Sequence, residues 1–263
     1  MAKKWMKRLD KRWTYKPGEY SDKKFRLSRG AIEEYLKCKR CFYLYRKMGL
    51  KSAPSIPFVL NMAVDNLFKN EFDIYRRQQS PHPLMKMYGI DAVPYQHHEL
   101  DAWRENFKGI SVEFLGTDIE VFGAVDDIWV NTDGNLIVVD YKATAKSEDN
   151  MFSPINSWDN VWNKGVSYKR QLEIYQWLLF KRGFQVSKDC YLVYANANKW
   201  KQEFNNILDF EVTLLKHVGN SEWIDGVLME IYSLLNQDLI PDSDETCDLC
   251  GFVESSNLLI HQN

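Results

Sequence analysis

The segment from residue 119 to residue 145 constrains the fold more than any other part of this 263-residue chain. Two runs rich in β-branched and aromatic residues flank the dipeptide Asp133-Gly134, which is a strong signal for a β-hairpin. The helical pattern of residues 168–183 and the apolar run of residues 189–196 follow it. Because a strand, a helix and a strand in this order form a crossover within one sheet, the sequence predicts an α/β fold.

The length of the hairpin loop decides which acidic residue faces the aspartate of the second strand. A five-residue loop, 131–135, places Asp126 opposite Asp140, whereas a loop of two or four residues places Asp127 there. Asp140 and Lys142 are two residues apart on the same strand, so both side chains point to one face of the sheet. The sequence therefore predicts carboxylates and an ammonium group close together.

Such an arrangement is suited to a divalent cation. Two neighbouring carboxylates repel each other unless a cation lies between them, and Mg²⁺ or Mn²⁺ prefers oxygen ligands. We therefore predict that Asp126, Asp140 and the main-chain carbonyl of Tyr141 are metal ligands. Lys142 can orient or activate a water molecule, or balance charge at a phosphoryl oxygen. This is the chemistry that hydrolysis of a phosphodiester requires.

The remaining polar candidates differ in how well their spacing suits a site. Gln171 and Tyr175 are four residues apart and share one helix face, where they can contact a phosphate or a water molecule. His97 and His98 are adjacent, and adjacent side chains of a regular helix or strand cannot both face one site. We predict the two histidines as surface or loop residues rather than metal ligands.

Four of the five cysteines form two C-x-x-C pairs, Cys38 with Cys41 and Cys247 with Cys250. The two-residue gap lets both thiolates of a pair reach one metal centre, and two pairs supply four ligands. The pattern predicts a metal site that joins the N- and C-terminal segments, with four unrelated thiols as the alternative. Sulfur-only coordination suits an iron–sulfur cluster or zinc equally. Cys190 is predicted as a core residue of a strand.

The chain begins with a basic arm. Residues 1–28 contain ten Lys and Arg and three Asp and Glu, a local balance of +7, although the whole chain has a net charge of −2. Such an arm attracts phosphate, and Trp5, Trp13 and Tyr15 can stack on bases, but a solvated terminus has the same composition. The sequence has neither an apolar membrane span nor an apolar signal region, so we expect a cytoplasmic protein.

Helices are predicted on both sides of the hairpin. Ser28 is the expected N-cap of the first, which carries Cys38 and Cys41 at or near its end. Residues 58–78 are predicted to form a long amphipathic helix, and residues 221–238 another. The apolar positions of the long helix are Met62, Val64, Leu67, Phe68 and Phe72.

Four segments, in this order, resemble the RecB-like branch of the PD-(D/E)XK nuclease superfamily. They are LSRGAIEEYLKCKRCFYL at residues 27–44, GAVDDI at 123–128, VVDYKAT at 138–144 and QLEIY at 171–175. The resemblance implies a restriction-endonuclease-like mixed β-sheet flanked by helices. It also implies that Asp126 and Asp140 bind metal and that Lys142 is the catalytic lysine. Gln171 and Tyr175 would be a supporting pair on the following helix.

The cysteines resemble the iron–sulfur subgroup of that branch, which includes CRISPR adaptation exonucleases and AddB-type repair nucleases. In that subgroup cysteines near both ends of the chain bind a [4Fe–4S] cluster, so the resemblance favours this cofactor over zinc. The chain departs from the subgroup at two positions. Asp65 stands where a helix histidine is usual, and we predict it as a third carboxylate ligand of the metal. Ser256 stands where a last cysteine is usual, and Cys41 can restore the fourth thiolate.

These observations give one expectation for organisation and function. Residues 1–26 form a basic N-terminal arm, and residues 27–263 form one nuclease domain that includes a helical segment at about 55–110 and the C-terminal cysteine pair. We predict a Mg²⁺- or Mn²⁺-dependent DNA nuclease, an exonuclease in DNA repair, recombination or CRISPR-type processing. Its partners would be DNA and proteins of such a complex, without membrane attachment.

Two alternatives remain at this point. The first is a catalytically silent nucleic-acid-binding module of the same fold, which the aspartate at position 65 favours. The second is a protein that does not bind nucleic acid and whose cysteine site is purely structural.

Overall fold

The structure is a computed structural model and describes residues 9–10, 14–20, 23–51, 58–148 and 151–261. The strands are β1 (Phe25–Ser28), β2 (Ala92–Pro94), β3 (Ile110–Glu113), β4 (Ile119–Gly123), β5 (Asp127–Asn131), β6 (Leu136–Thr144), β7 (Ser147–Glu148), β8 (Met151–Phe152), β9 (Asp189–Ala197) and β10 (Phe210–Val218). The helices are α1 (Arg29–Lys37), α2 (Lys39–Arg46), α3 (Val59–Gln78), α4 (Pro83–Met87), α5 (Leu100–Trp103), α6 (Val166–Lys181), α7 (Trp223–Asn236) and α8 (Asp248–His261). None of the helices in these ranges is long and apolar enough to cross a membrane.

The chain divides into two compact units. The first unit consists of Met1–Ile56, Glu113–Val121 and Glu222–Asn263. The second unit consists of Pro57–Val112 and Phe122–Ser221.

A five-stranded sheet organises the second unit. Its order is β10-β9-β6-β5-β2, with β6 and β9 parallel and the other neighbours antiparallel. Helix α6 connects β6 to β9, which is the crossover that the sequence predicts. The sheet is mixed and helices flank it, so the predicted α/β fold class is confirmed.

The β5–β6 hairpin has the five-residue loop. Val130 pairs with Leu136 and Asp127 pairs with Val139, so extending the register by one residue places Asp126 opposite Asp140. Gly134 takes a φ of 79° in the loop, a conformation that favours glycine. Asp126 rather than Asp127 therefore shares a sheet face with Asp140.

Helix α3 is amphipathic only towards its C-terminal end. Phe72 is fully buried against Trp129 and the adjoining face of the sheet, and Phe68 is partly buried beside it. Met62 and Leu67, in the N-terminal half, are 57% and 66% exposed. The prediction of one apolar face along the whole helix is therefore wrong, because the apolar side chains of the N-terminal half do not all pack against the core.

The first unit carries the chain's early and late helices. Ser28 caps α1, since its Oγ accepts a hydrogen bond from the Ala31 N–H at 3.1 Å. Tyr15 is only 1% exposed and its hydroxyl contacts Asp118 and Asn236 at 3.2 Å, so its ring has no free face for a base. Trp5 and Trp13, the other aromatic residues of the basic arm, lie outside the described residues.

Candidate active site and candidate metal centre

Three carboxylates of the second unit lie around the ammonium groups of two lysines, near the start of β5 and the middle of β6. Asp126 immediately precedes β5 and accepts the Tyr141 N–H at 3.0 Å through Oδ2. Asp65, on α3, is linked to Asp126 through Lys69, whose Nζ lies 2.7 Å from Asp65 Oδ2 and 3.5 Å from Asp126 Oδ1. Asp140, on β6, completes the group from the position opposite Asp126. The structure thus brings together the three acids that the sequence singles out.

Lys142 points into the same group from β6. Its ammonium forms an ion pair with Asp140 Oδ2 and donates to the Tyr141 carbonyl at 3.1 Å. The Tyr168 ring lies 5.4 Å from the ammonium, so an aromatic face borders its other side. The Tyr141 carbonyl, a predicted ligand, consequently lies beside the acids.

Helix α6 holds Asp140 from above the sheet. Gln171 Nε2 donates to Asp140 Oδ1 at 2.7 Å and to the Tyr175 hydroxyl oxygen at 3.0 Å. Tyr175 also packs closely on the end of β4, which is possible because residue 123 is glycine: a Cβ there would lie 2.7 Å from Tyr175 Cε1. Gln171 therefore orients one oxygen of Asp140 and leaves the other to Lys142.

The proximity of these groups shifts their pKa values in different directions. Burial raises the pKa of Asp140 to about 7, although the Lys142 ammonium opposes the shift. Burial acts on Asp126 as well, but Lys142 and Lys69 outweigh it and lower the pKa of Asp126. Burial, reinforced by Asp126, raises the pKa of Asp65. A cation added among the three acids would favour the ionised form of each.

The donor set fits a hard divalent cation. Asp65 Oδ1 is buried and has no hydrogen-bond partner among the described residues, so one acceptor in the group is left for a ligand. Three carboxylates and a carbonyl are the oxygen donors that Mg²⁺ and Mn²⁺ prefer. The residues present therefore suit such an ion.

A second network lies behind the site and was not predicted. Asp127 points to the opposite side of the sheet from Asp126 and is fully buried, where it pairs with Arg76 and Arg104. The Tyr141 hydroxyl donates to Asp127 at 2.6 Å. Arg104 Nε also donates to the Asp126 main-chain carbonyl at 3.0 Å, so the network holds the backbone that presents Asp126.

Lys69 is a further residue that was not predicted from the sequence. It lies one helical turn after Asp65, and this i, i+4 spacing was a usable signal. His97 and His98, by contrast, lie in the segment before α5 as predicted. Their nitrogens and a Glu99 oxygen lie within 4.8 Å of one another, but Glu99 pairs with Arg182 and His97 stacks on Trp103.

In the first unit the two cysteine pairs converge. The sulfur of Cys38 lies 3.7 Å from that of Cys250, and the sulfur of Cys41 lies 3.7 Å from Cys247 and 3.8 Å from Cys250. Burial raises the pKa of the Cys38 and Cys41 thiols, so a cation that binds them would release protons. The predicted four-cysteine site joining the N- and C-terminal segments is confirmed as a cluster. Cys190 is buried in β9, apart from these thiols.

Comparison with known proteins agrees with this geometry. The family model described as the PD-(D/E)XK nuclease superfamily matches residues 59–255. The chain belongs to the PD-(D/E)XK nuclease superfamily. Members of this superfamily are nucleases that use divalent metals, which is the chemistry that the group of acids suits.

Other comparisons add little to the PD-(D/E)XK assignment. A search of curated proteins finds no match. Among solved structures, the one described as "Crystal structure of SSO0001" is 15% identical, with a TM-score of 0.37 and coverage of 85% of this chain and 80% of that chain. Similarity at this level supports no conclusion about the activity of the chain.

Proposed function

We propose that this PD-(D/E)XK protein is a metal-dependent DNA nuclease that hydrolyses phosphodiester bonds. The observation that carries the proposal is the convergence of Asp65, Asp126 and Asp140 with Lys142 at one end of the sheet. Each of these side chains has a polar atom in contact with another of the group or with Lys69. Residues scattered over separate surfaces would not support this chemistry.

Asp65, Asp126, Asp140 and the Tyr141 carbonyl would hold the divalent ion. When bound, the ion would supply Lewis acidity towards a phosphoryl oxygen. Asp140 needs a fixed orientation for this purpose, and the Gln171 amide supplies it through one carboxylate oxygen. Tyr175 in turn accepts a hydrogen bond from that amide, so Gln171 and Tyr175 act as a positioning pair.

Lys142 is the proposed catalytic lysine. Although burial alone would lower its pKa, the carboxylates of Asp140 and Asp126 raise the pKa above the ordinary lysine value. We propose that the group is a positive charge that orients the attacking water and balances charge on the phosphoryl oxygens.

The resemblance to the RecB-like branch is the basis for proposing DNA as the substrate, exonuclease action and a role in repair, recombination or CRISPR-type processing. It is also the basis for proposing partner proteins of such a complex. The basic arm at residues 1–26 would add attraction for the phosphate backbone to the nuclease domain of residues 27–263. The silent binding module is the alternative, and the ion pair of Asp65 with Lys69 favours it, because this pair satisfies part of the acidic charge without metal.

Cleavage of end-labelled DNA tests the proposal. Single- and double-stranded oligonucleotides, each labelled at the 5′ or the 3′ end, are incubated with Mg²⁺, with Mn²⁺ or with a chelator. We expect shortened products with metal only, and the label position at which mononucleotides appear gives the polarity. Binding of DNA without cleavage under every metal tested would contradict the nuclease proposal and support the silent module.

For the cysteine cluster we propose a single zinc ion. Four sulfurs about 2.3 Å from one tetrahedral ion are about 3.8 Å apart, which agrees with the separations of 3.7 and 3.8 Å between the cysteine sulfurs. In a [4Fe–4S] cluster each thiolate binds a different iron, so the sulfurs must lie farther apart. The family resemblance favours the cluster, and the sulfur geometry supports zinc.

Replacing Cys250 with serine should remove most of the bound metal and lower the melting temperature of the protein, because a structural zinc site contributes directly to folding. Metal content by mass spectrometry and the thermal unfolding curve measure both effects. Cys190→Ala is the matched control and should keep the metal. If the wild-type protein is brown, contains iron and absorbs at about 400 nm, the site binds a [4Fe–4S] cluster and the zinc proposal is wrong.

A further inference from the structure

Lys69 occupies the space between two of the proposed metal ligands. It follows Asp65 by one turn of α3, and its Nζ lies 2.7 Å from Asp65 Oδ2 and 3.5 Å from Asp126 Oδ1. Its side chain is only 19% exposed. The ammonium is thus held inside the acidic group and does not extend into solvent.

The contacts of Lys69 leave the acids incompletely satisfied. Within the part of the chain that the structure describes, Asp65 Oδ1 remains buried without a hydrogen-bond partner, although Oδ2 of the same carboxylate is paired with Lys69. A divalent ion shared by Asp65 and Asp126 would need the space between their carboxylates where the ammonium lies. Lysine and metal consequently compete for the same oxygens.

The charges of the group show what this competition does. Asp65, Asp126 and Asp140 carry three negative charges when ionised, and Lys69 and Lys142 carry two positive charges. Lys142 is fixed by its ion pair with Asp140 and its hydrogen bond to the Tyr141 carbonyl. Lys69 contacts the carboxylates of Asp65 and Asp126, so a metal that takes over these oxygens leaves it free to move aside on its flexible stem.

We propose that Lys69 is a resident counter-ion of Asp65 and Asp126, which a divalent metal must displace and which therefore sets the metal affinity of the site. This inference rests on the proposed function, since it assumes that these acids bind the metal. Lys69 holds the two carboxylates together when no metal is bound, and it weakens the binding of the metal that replaces it.

Calorimetric titration with Mn²⁺ alone, without DNA, tests the role. We expect Lys69→Met to bind Mn²⁺ about tenfold more tightly than the wild type, because a competing charge a few ångströms from the ion is removed. Lys69→Arg keeps the charge and should keep the wild-type affinity. Lys108→Met is the matched control, since Lys108 pairs with Glu105 on the surface of the same unit. An Asp140→Asn variant should show no heat of Mn²⁺ binding. This result would assign the heat measured with the wild type to this site.

Thermal unfolding without metal gives a second readout. Lys69→Met should melt at a lower temperature than the wild type in chelator, because two carboxylates lose their shared cation, and should gain more stability from Mn²⁺. If Lys69→Met does not fold, Lys69→Gln serves as the charge-removing variant. If the charge-removing variant binds Mn²⁺ as tightly as the wild type or more weakly, the inference is overturned. A wild type that binds no Mn²⁺ would instead overturn the proposed function, and this inference with it.

Discussion

Lys142→Met is expected to lower the rate of DNA cleavage by about 10²–10³ while leaving the fold intact, since removing one group that stabilises transition-state charge has an effect of this size. Methionine fills nearly the same space beside Tyr168 but carries no charge. Because Lys142 balances charge on the reacting phosphate, the loss should fall on the turnover rate and not on DNA affinity. Single-turnover cleavage at saturating enzyme, together with a DNA-binding titration, measures the two quantities separately.

Lys216→Met is the control for Lys142→Met. Lys216 lies on the edge strand β10 and pairs with Asp189, so its replacement removes one positive charge from the same sheet away from the acids. Its cleavage rate should equal that of the wild type. Cleavage by Lys142→Met at the wild-type rate would remove the proposed mechanism, even if the protein still proved to be a nuclease.

Asp127→Ala is expected to lower the free energy of unfolding by about 3–5 kcal/mol, because two buried arginines then share a single carboxylate, that of Asp73, and one positive charge is left uncompensated. Asp127 is fully buried and accepts from Arg104 Nη2 at 2.9 Å, from the Tyr141 hydroxyl and from Arg76. Denaturation in urea, followed by tryptophan fluorescence, measures the change. Trp129 on β5 is fully buried and reports on this part of the sheet.

The neighbouring variant Asp126→Ala provides the contrast. Asp126 faces the acids, so its removal relieves repulsion with Asp65 and Asp140 and gives up the hydrogen bond from the Tyr141 N–H. We expect a stability change within about 1 kcal/mol and a loss of metal binding and cleavage. If Asp126→Ala and Asp127→Ala destabilise the protein equally, the two aspartates do not lie on opposite faces of the strand with different surroundings.

The sequence was most informative where one local rule has a single outcome. Strand alternation places Asp140 and Lys142 on the same face, and the hairpin dipeptide limits the partner of Asp140 to Asp126 or Asp127. Helical spacing relates Gln171 to Tyr175 in the same way. These relations involve residues that are near in sequence or joined by one tight turn, and therefore do not depend on the rest of the fold.

Other features depend on contacts between distant segments and could not be predicted in this way. The Arg104 side chain reaches Asp73, Asp127 and the Asp126 carbonyl. Nothing in the spacing of these residues indicates that they meet. The exposure of Met62 and Leu67 is a similar case, because periodicity shows that a helix has an apolar stripe but not which residues of the stripe meet the core.

The sequence by itself determined the α/β class, the pairing of the two C-x-x-C motifs as a candidate metal site and the identities of the acids and Lys142. The tertiary structure alone decided that Lys69 on α3 joins Asp65 to Asp126 and that the sulfurs of Cys38 and Cys41 lie 3.7 to 3.8 Å from those of the C-terminal pair. The physical reason is that secondary structure and residue chemistry follow from short-range rules. The separation of charged groups, by contrast, depends on how whole helices and strands pack.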